Sequence, residues 1–542
     1  MILRVWRCLA ALACLLGAAP AVAQNCGTIV VPPGLGMGPG ADVTSFNPLL
    51  TSSLYNQEAA GLIFAPLLWI NRFHEIDYAR SIASAVSTPD NGKTYDVTLK
   101  PWRWSDGVAV SSADVLYTYH LIQALGQAYA GYGQGGVPDL IASVTAPDAS
   151  HVQVVLKHAV NPQWFILNGL GQLSPLPFHV WGRYSTDEIW QAQSDPAFFR
   201  VGDGPLLPVA LNIGIDAVFV PNPLYPVGKM NFSRFVMRFS TAEGQELQAV
   251  QSGELDMSNI PFALYAKALT LPGDRVVTLP PSYSWHELIP NMANASTRFF
   301  GDVRVRQALA DAIDQKRIVQ LVMHGLGSPV YGPVPPYPDT FLSPAARAGQ
   351  YPVGYDVAKA RKLLVEAGFM PGKDGVLQKN GQRLAFTLLI PAGPPVSIEI
   401  AESIQQDLQA VGITMKVRQM EFNQLLAVMA GQPQKWQAIL LGMTLGPYPS
   451  GEELFTQGAA LNNNGYASAE MDRLIKQSTD EPGLAGLFAY QDFASAQQPV
   501  IFLPNERYSV LVRNGLHGVR DFLNPLGAWA PEKLYCTKES AP

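Results

Sequence analysis

Phe300-Gly-Asp-Val-Arg-Val-Arg-Gln-Ala-Leu-Ala-Asp-Ala-Ile-Asp-Gln-Lys-Arg-Ile-Val319 joins a helix-start signal to a clean helical period. Asp302 sits where a side-chain oxygen can accept from the free amides of a first helical turn. Behind it, Val305, Ala308, Leu309, Ala312 and Ile313 fall at i, i+3, i+4, i+7 and i+8, a single apolar face. Taken alone, the stretch predicts a packed helix with Arg304, Arg306 and Asp311 on its solvated far side. It runs on into Gly325-Leu-Gly-Ser-Pro-Val-Tyr-Gly-Pro-Val-Pro-Pro336, a loop rich in turn formers.

Downstream, the local pattern predicts a βαβ unit. Ala385 to Ile390 is a short apolar strand, and Val396 to Val411 is a helix with Ile400, Ile404, Leu408 and Val411 on one face. Gly412 supplies a left-handed stop, and Ile413-Thr-Met-Lys-Val417 alternates like a strand. Asp356 caps a further helix ending at Gly368, striped by Ala360, Leu363, Leu364 and Ala367. Strands alternating with helices predict α/β lobes.

Further blocks punctuate the chain in order: Ala41-Asp-Val-Thr-Ser-Phe-Asn-Pro-Leu-Leu-Thr-Ser-Ser53, Asp90-Asn-Gly-Lys-Thr-Tyr-Asp-Val-Thr-Leu-Lys100, Trp104-Ser-Asp-Gly107, Gln251-Ser-Gly-Glu-Leu-Asp256 and Gly465-Tyr-Ala-Ser-Ala-Glu-Met-Asp472. With Asp302-x-Arg-Val-Arg-Gln-Ala308 and the Gly-x-Gly-x-Pro loop, this text resembles the extracellular solute-binding proteins of family 5, the peptide-, dipeptide- and nickel-type receptors of bacterial ABC importers.

The resemblance implies an α/β fold of the periplasmic binding protein type II kind, with two main lobes joined by a two-strand hinge plus an inserted third lobe. It places a discontinuous lobe at 24–60, 200–285 and 497–542, the inserted lobe at 61–199 and the second main lobe at 286–496. The chain then crosses between the main lobes near Tyr283 to Asn291 and again near Gln497 to Leu503. The implied function is capture of a small solute in an interlobe cleft by hinge closure, and delivery to an inner-membrane permease with its ATPase. A periplasmic hydrolase, or a binding protein serving as a sensor or chaperone without a permease, are the alternatives.

Composition bounds the same picture. A chain of 542 residues with 48% hydrophobic and 15% charged residues is long enough for several cores and too apolar for disorder. A net charge of −6 gives no basic footprint for nucleic acid. Arg4 and Arg7, the apolar run Cys8 to Leu16 and Ala21-Val-Ala23 spell a secretory signal peptide over 1–23, too short to span a bilayer. A soluble periplasmic monomer is expected. Of four cysteines, Cys26 and Cys536 then remain, and an oxidising compartment predicts a disulfide between them.

No catalytic constellation is apparent. The sequence contains no Gly-x-Ser-x-Gly elbow, and none of its eight histidines stands at metal-ligand spacing from another. Gly36-Met-Gly-Pro-Gly-Ala41 only superficially matches a dinucleotide loop, because Pro39 lacks the amide that a phosphate needs. No cofactor and no metal are expected. Trp102 and Trp104 read as buried residues of the inserted lobe rather than stacking platforms.

Candidate ligand contacts come from segments that border the cleft by resemblance: Thr51, Ser52, Ser53 and Tyr55, then Tyr283, Trp285 and His286, then Met443, Thr444, Gly446, Tyr448 and Glu452. The flat rings suit either a stacking pocket or a packed core, and both readings stay open. In peptide-binding members the loop matching 440–455 carries an Asp that pairs with the peptide α-ammonium, and here Gly446 or a neighbouring apolar residue stands at that place. An unpaired ammonium in a closed cleft costs several kcal/mol. The expected ligand is therefore a peptide, the family default, or an uncharged, N-blocked or largely apolar compound. Glu452 is the alternative carboxylate from further along the loop.

Overall fold

A computed structural model describes residues 24–36, 42–50, 53–239, 245–393 and 395–537. The predicted βαβ unit is present at one edge of a five-stranded sheet. Thr414–Met420, Ala385–Pro391, Ala438–Thr444, Ser284–Pro290 and Ile501–Leu503 lie side by side in that order. The first three are parallel, and the last two join antiparallel. Helix Pro395–Ala410 makes the crossover, burying Ile400, Ile404 and Leu408, and Gly412 at φ 84° turns the chain into the next strand.

Two further sheets build another body. Thr28–Val31, Arg234–Arg238, Asp216–Pro221 and Leu206–Asn212 form one, and Asp274–Thr278, Ser509–Arg513 and Met257–Asn259 form the other. A third body holds the antiparallel sheet Ala83–Ser87, Thr94–Leu99, His151–Leu156 and Ile141–Asp148. Trp102 and Trp104 are buried there. Trp104 accepts and donates across the tight turn it starts, its amide to Val108 O and its carbonyl from Gly107 N.

A two-strand ribbon links the first two bodies. Thr278 pairs with Ser509 at the end of one sheet, and His286 pairs with Leu503 at the start of the other. Between them, Leu279 N donates to Tyr508 O (2.9 Å) and Ser282 N to Glu506 O (3.0 Å).

Asp302 caps helix Val303–Ala312, accepting from Arg304 N, and Val305, Ala308, Leu309 and Ala312 are buried as the period requires. Its far side differs from expectation. Arg306 is only 3% exposed, with Nε 3.0 Å from both Gln497 O and Gln498 O and Nη1 donating to Phe300 O (2.7 Å). Asp311 is buried against Lys359 Nζ at 2.9 Å. The helix is enclosed by other elements on its polar side too, so these charges neutralise carbonyls and a lysine instead of meeting water. Asp356 caps Val357–Glu366 as predicted.

Cys26 and Cys536 form the expected disulfide, with Cα atoms 5.3 Å apart. Gln24 N donates to Cys536 O beside it (2.9 Å). Among the described residues no helix is long and apolar enough to cross a membrane. The expected signal peptide, and the greater part of the Gly36 to Ala41 loop, lie outside the described residues.

Candidate ligand site

Strand Ala438–Thr444 leaves the five-stranded sheet and becomes the loop Leu445 to Gly451, stiffened by Pro447 and Pro449. Gly451, at φ 74°, starts the short helix Glu452–Phe455. Opposite lies the irregular helical segment Pro162 to Gln172 of the third body. Between loop and segment is a cavity of about 380 Å³, walled by Met443 to Leu454 on one side and by Leu68, Ile70, Gln134, Gly135, Leu167, Asn168, Gly171 and Gln172 on the other.

Three side chains fasten these walls together. Asn168 brackets Tyr448, its Nδ2 donating to Tyr448 O (2.9 Å) and its Oδ1 accepting from Tyr448 N (3.0 Å). Asn161 Nδ2 lies 3.0 Å from the Tyr448 hydroxyl and 2.9 Å from Ser478 O. His74 Nδ1 donates to Pro447 O at 2.6 Å, with its ring edge-on to Tyr283, centroids 4.1 Å apart. Burial holds the His74 pKa down at about 4, against the opposing pull of the Pro447 carbonyl. The imidazole is thus neutral at pH 7, which fixes Nδ1–H as the donor.

The structure gathers Met443, Thr444, Gly446, Tyr448 and Glu452 around this cavity. Gly446 has an ordinary negative-side φ, and a Cβ there would meet only Asn168 Oδ1, at 3.8 Å. Neither backbone nor packing requires glycine, so the position has room for a carboxylate that this sequence does not supply. Glu452 is enclosed by protein yet still reachable from the cavity. Burial, then the neighbouring Glu453 carboxylate, push its pKa up to about 8, opposed by the nearby Trp164 indole and Gly135 amide. At neutral pH it is mostly the uncharged acid.

The other candidates do not open on this cavity. Trp285, 1% exposed, lies on strand Ser284–Pro290 inside the five-stranded sheet, with both faces covered. Tyr283, also 1% exposed, precedes that strand on the ribbon, where the His74 ring packs edge-on against it and its carbonyl accepts from Leu445 N (3.0 Å). Trp285 Nε1 donates to Glu287 Oε2 (3.0 Å) and its ring meets Phe502 edge-on. His286 pairs with Glu506 at 2.7 Å on the ribbon between bodies, a contact that raises the His286 pKa although burial opposes it. Ser53 and Tyr55 are half-buried at the start of helix Leu54–Ile63, away from the 443–454 loop. Thr51 and Ser52 lie outside the described residues.

His74, Asn161 and Asn168 were not among the candidates. The available signal was Asn168 inside the apolar run Trp164-Phe-Ile-Leu-Asn-Gly-Leu170, a polar residue needing a partner wherever it is buried.

With this geometry the comparisons with known proteins agree. The chain is 27% identical over 452 residues to the oligopeptide-binding protein AppA of Bacillus subtilis, covering 80% of this chain and 78% of that protein. It is 26% identical over 461 residues to the dipeptide-binding protein DppE of the same organism, covering 81% and 79%. Among solved structures, AppA with a bound nonapeptide superposes with TM-score 0.74 at 24% identity, covering 95% of this chain and all of that one. NikZ of Campylobacter jejuni in complex with Ni(L-His) gives TM-score 0.75 at 20% identity, with the same coverage. The sequence model of bacterial extracellular solute-binding proteins, family 5, matches residues 77–465, and the chain belongs to that family.

Proposed function

We propose that this protein is the substrate-binding component of an ABC importer, working as a freely diffusing periplasmic monomer and performing no chemical step. Its solute is a peptide or, by preference, an uncharged or N-blocked compound held between the 443–454 loop and the facing segment. The observation carrying this preference is the pairing of Gly446 with Glu452. One position lacks a carboxylate, and the neighbouring carboxyl is held neutral at pH 7. A ligand ammonium would meet no carboxylate at 446 and a neutral acid at 452, which leaves Glu453 as the one remaining carboxylate of that wall; an ammonium left unpaired costs several kcal/mol.

Closure is the working motion on this reading. The ribbon segments 279–283 and 504–508 act as the hinge, just outside the crossings expected near Tyr283 to Asn291 and Gln497 to Leu503, because strands Ser284–Pro290 and Ile501–Leu503 belong to the five-stranded sheet of the second main lobe; residues 61–199 form the inserted lobe. The bonds from His74, Asn161 and Asn168 to the loop are the latch made on closing. A solute that touches both walls favours the latched state by its differential affinity.

Native mass spectrometry of freshly purified protein should reveal a co-purified solute, followed by a thermal-shift panel of dipeptides and their N-acetylated forms. A ligand at 100 times its Kd stabilises by about 2.7 kcal/mol. Blocked or uncharged compounds should give the larger shifts. Free-amine dipeptides shifting strongly while their acetylated forms do nothing would overturn the preference.

A further inference from the structure

Helix Leu54–Ile63 presents a whole face to a second cavity, of about 430 Å³, on the other side of Gly171 and Gln172 from the first. Leu54, Gln57, Glu58 and Gly61 line it at i, i+3, i+4 and i+7. Trp69, Tyr129 and Trp529, all largely buried, supply aromatic wall. Two features of this face serve no evident folding purpose. Glu58 is 2% exposed, and while its Oε2 accepts from Gly34 N (2.8 Å), its Oε1 has no partner. Buried polar atoms are nearly always paired, so an orphan in a cavity wall points to a missing group.

The second feature is Gly61. Glycine is among the poorest residues for a helix interior, and here it has no left-handed φ to justify it. No atom lies within 4 Å of where its Cβ would stand, and the same holds for Gly171 at the partition. Gly61 is exposed at the mouth of the cavity and Gly171 half-buried at the partition, so neither relieves a close contact and a side chain at either would project into open space.

We propose that this cavity is a binding compartment for an uncharged apolar ring or short chain carrying one oxygen acceptor, to which the Glu58 carboxyl donates. Burial raises the pKa of that carboxyl well above the ordinary carboxylate value, against the pull of the Gly34 amide, and so favours its hydrogen-bond-donating form. Glu58 and Tyr129 are the ionisable groups in the wall among the described residues, and the Tyr129 hydroxyl is already engaged with Gln172 Oε1 (2.7 Å). That this group is one end of the transported solute, reaching past Gly171 from the 443–454 loop, rests on the binding-protein reading above.

Saturation-transfer NMR with small probes tests the compartment without knowing the solute. Acetophenone should bind the wild-type protein at millimolar concentration. α-Methylstyrene, of the same shape without the acceptor, should bind about 2- to 10-fold more weakly, the range of one hydrogen bond. Gly61→Leu fills the space from a position with no neighbours and should abolish both signals while the Tm holds or rises. Glu58→Gln keeps an N–H donor and should retain acetophenone within about 2-fold, at or below the smallest change expected for losing a hydrogen bond. Absence of acetophenone binding, its survival in Gly61→Leu, or equal binding of α-methylstyrene overturns the compartment. Benzylammonium binding more tightly than acetophenone, and being lost in Glu58→Gln, overturns the uncharged acceptor in favour of a cation. If the probes behave as expected and no solute spanning both cavities stabilises the protein, the link to the transported solute fails and the compartment stands; if a solute stabilises the protein while the probes do not bind, the compartment fails and the binding-protein reading stands.

Discussion

Replacing His74 by asparagine separates the latch's hydrogen bond from its titration. Asparagine Nδ2 sits where the imidazole Nδ1–H now donates to Pro447 O, and asparagine is one of the few residues at ease at the φ of 62° found here. The buried imidazole has its pKa lowered from 6.5 to about 4. Between those values the unfolded chain binds a proton that the folded chain refuses, so stability falls as pH drops through that window and is fully present above 6.5. At about 1.4 kcal/mol per pH unit, the ceiling is roughly 3 kcal/mol. In urea unfolding at pH 7.5, the variant should lose only about 1 kcal/mol, from lost ring packing against Tyr283. At pH 4.5 the difference should shrink or invert, because the wild type alone carries the imidazole penalty. All other titrating groups are common to both proteins and cancel. Parallel stability curves for the two proteins between pH 7.5 and 4.5 would refute the reasoning.

Asn168→Ala strands the Tyr448 amide and carbonyl, at about 1–3 kcal/mol for a buried unsatisfied group, and should shift small-angle scattering of the protein toward a more open form with weaker solute capture. Gly446→Asp should fold normally, given that its Cβ meets nothing nearer than 3.8 Å, and should raise the thermal shift from free-amine dipeptides over their acetylated forms. Removing the Cys26–Cys536 bridge with a reductant should lower stability by about 2–5 kcal/mol, since the loop it closes has a sequence separation of 510; calorimetry with and without reductant measures it. For Glu452, whose pKa is raised from 4.5 to about 8, the folded chain holds the extra proton, so its contribution to stability declines as pH rises through that window. Binding of a permanently charged N-trimethyl dipeptide should strengthen about tenfold per pH unit up to about 8 and level off above, and Glu452→Gln should flatten that titration.

The elements that sequence predicts well are those whose cause is local. Asp302, Asp356 and Gly412 act on amides and dihedrals within one turn of themselves, and the apolar stripes of Val303–Ala312 and Pro395–Ala410 carry their own period. What escapes is set by partners distant in the chain. Arg306 looks like a solvated position until Gln497 and Gln498 bring carbonyls to it. Tyr283 and Trp285 are compatible with a pocket or a core; the strands on either side of Ser284–Pro290 enclose Trp285, and the distant His74 ring packs against Tyr283. His74 is the extreme case. Its role depends on a left-handed φ, a carbonyl 373 residues away and a desolvated ring, none of which leaves a mark in the residues around it.

The same dependence on distant partners explains why the loop at Gly446 is informative in a way that its own residues are not. A missing carboxylate by itself says little, because a neighbouring acid can take over. Glu452 is near enough to do so, yet the closed walls that bring it to the cavity also strip it of water, and Glu453 beside it adds a like charge. Both effects favour the protonated acid. The Glu58 pKa, in the adjoining cavity, is raised by the first of those effects alone. Enclosure therefore favours the neutral, hydrogen-bonding forms of Glu452 and Glu58, which can orient an uncharged solute without a charge to desolvate. Selectivity against ammonium groups then comes from the depth of the cleft as much as from the residue absent at 446. A mutation that let water reach Glu452 would restore cation binding without restoring the aspartate.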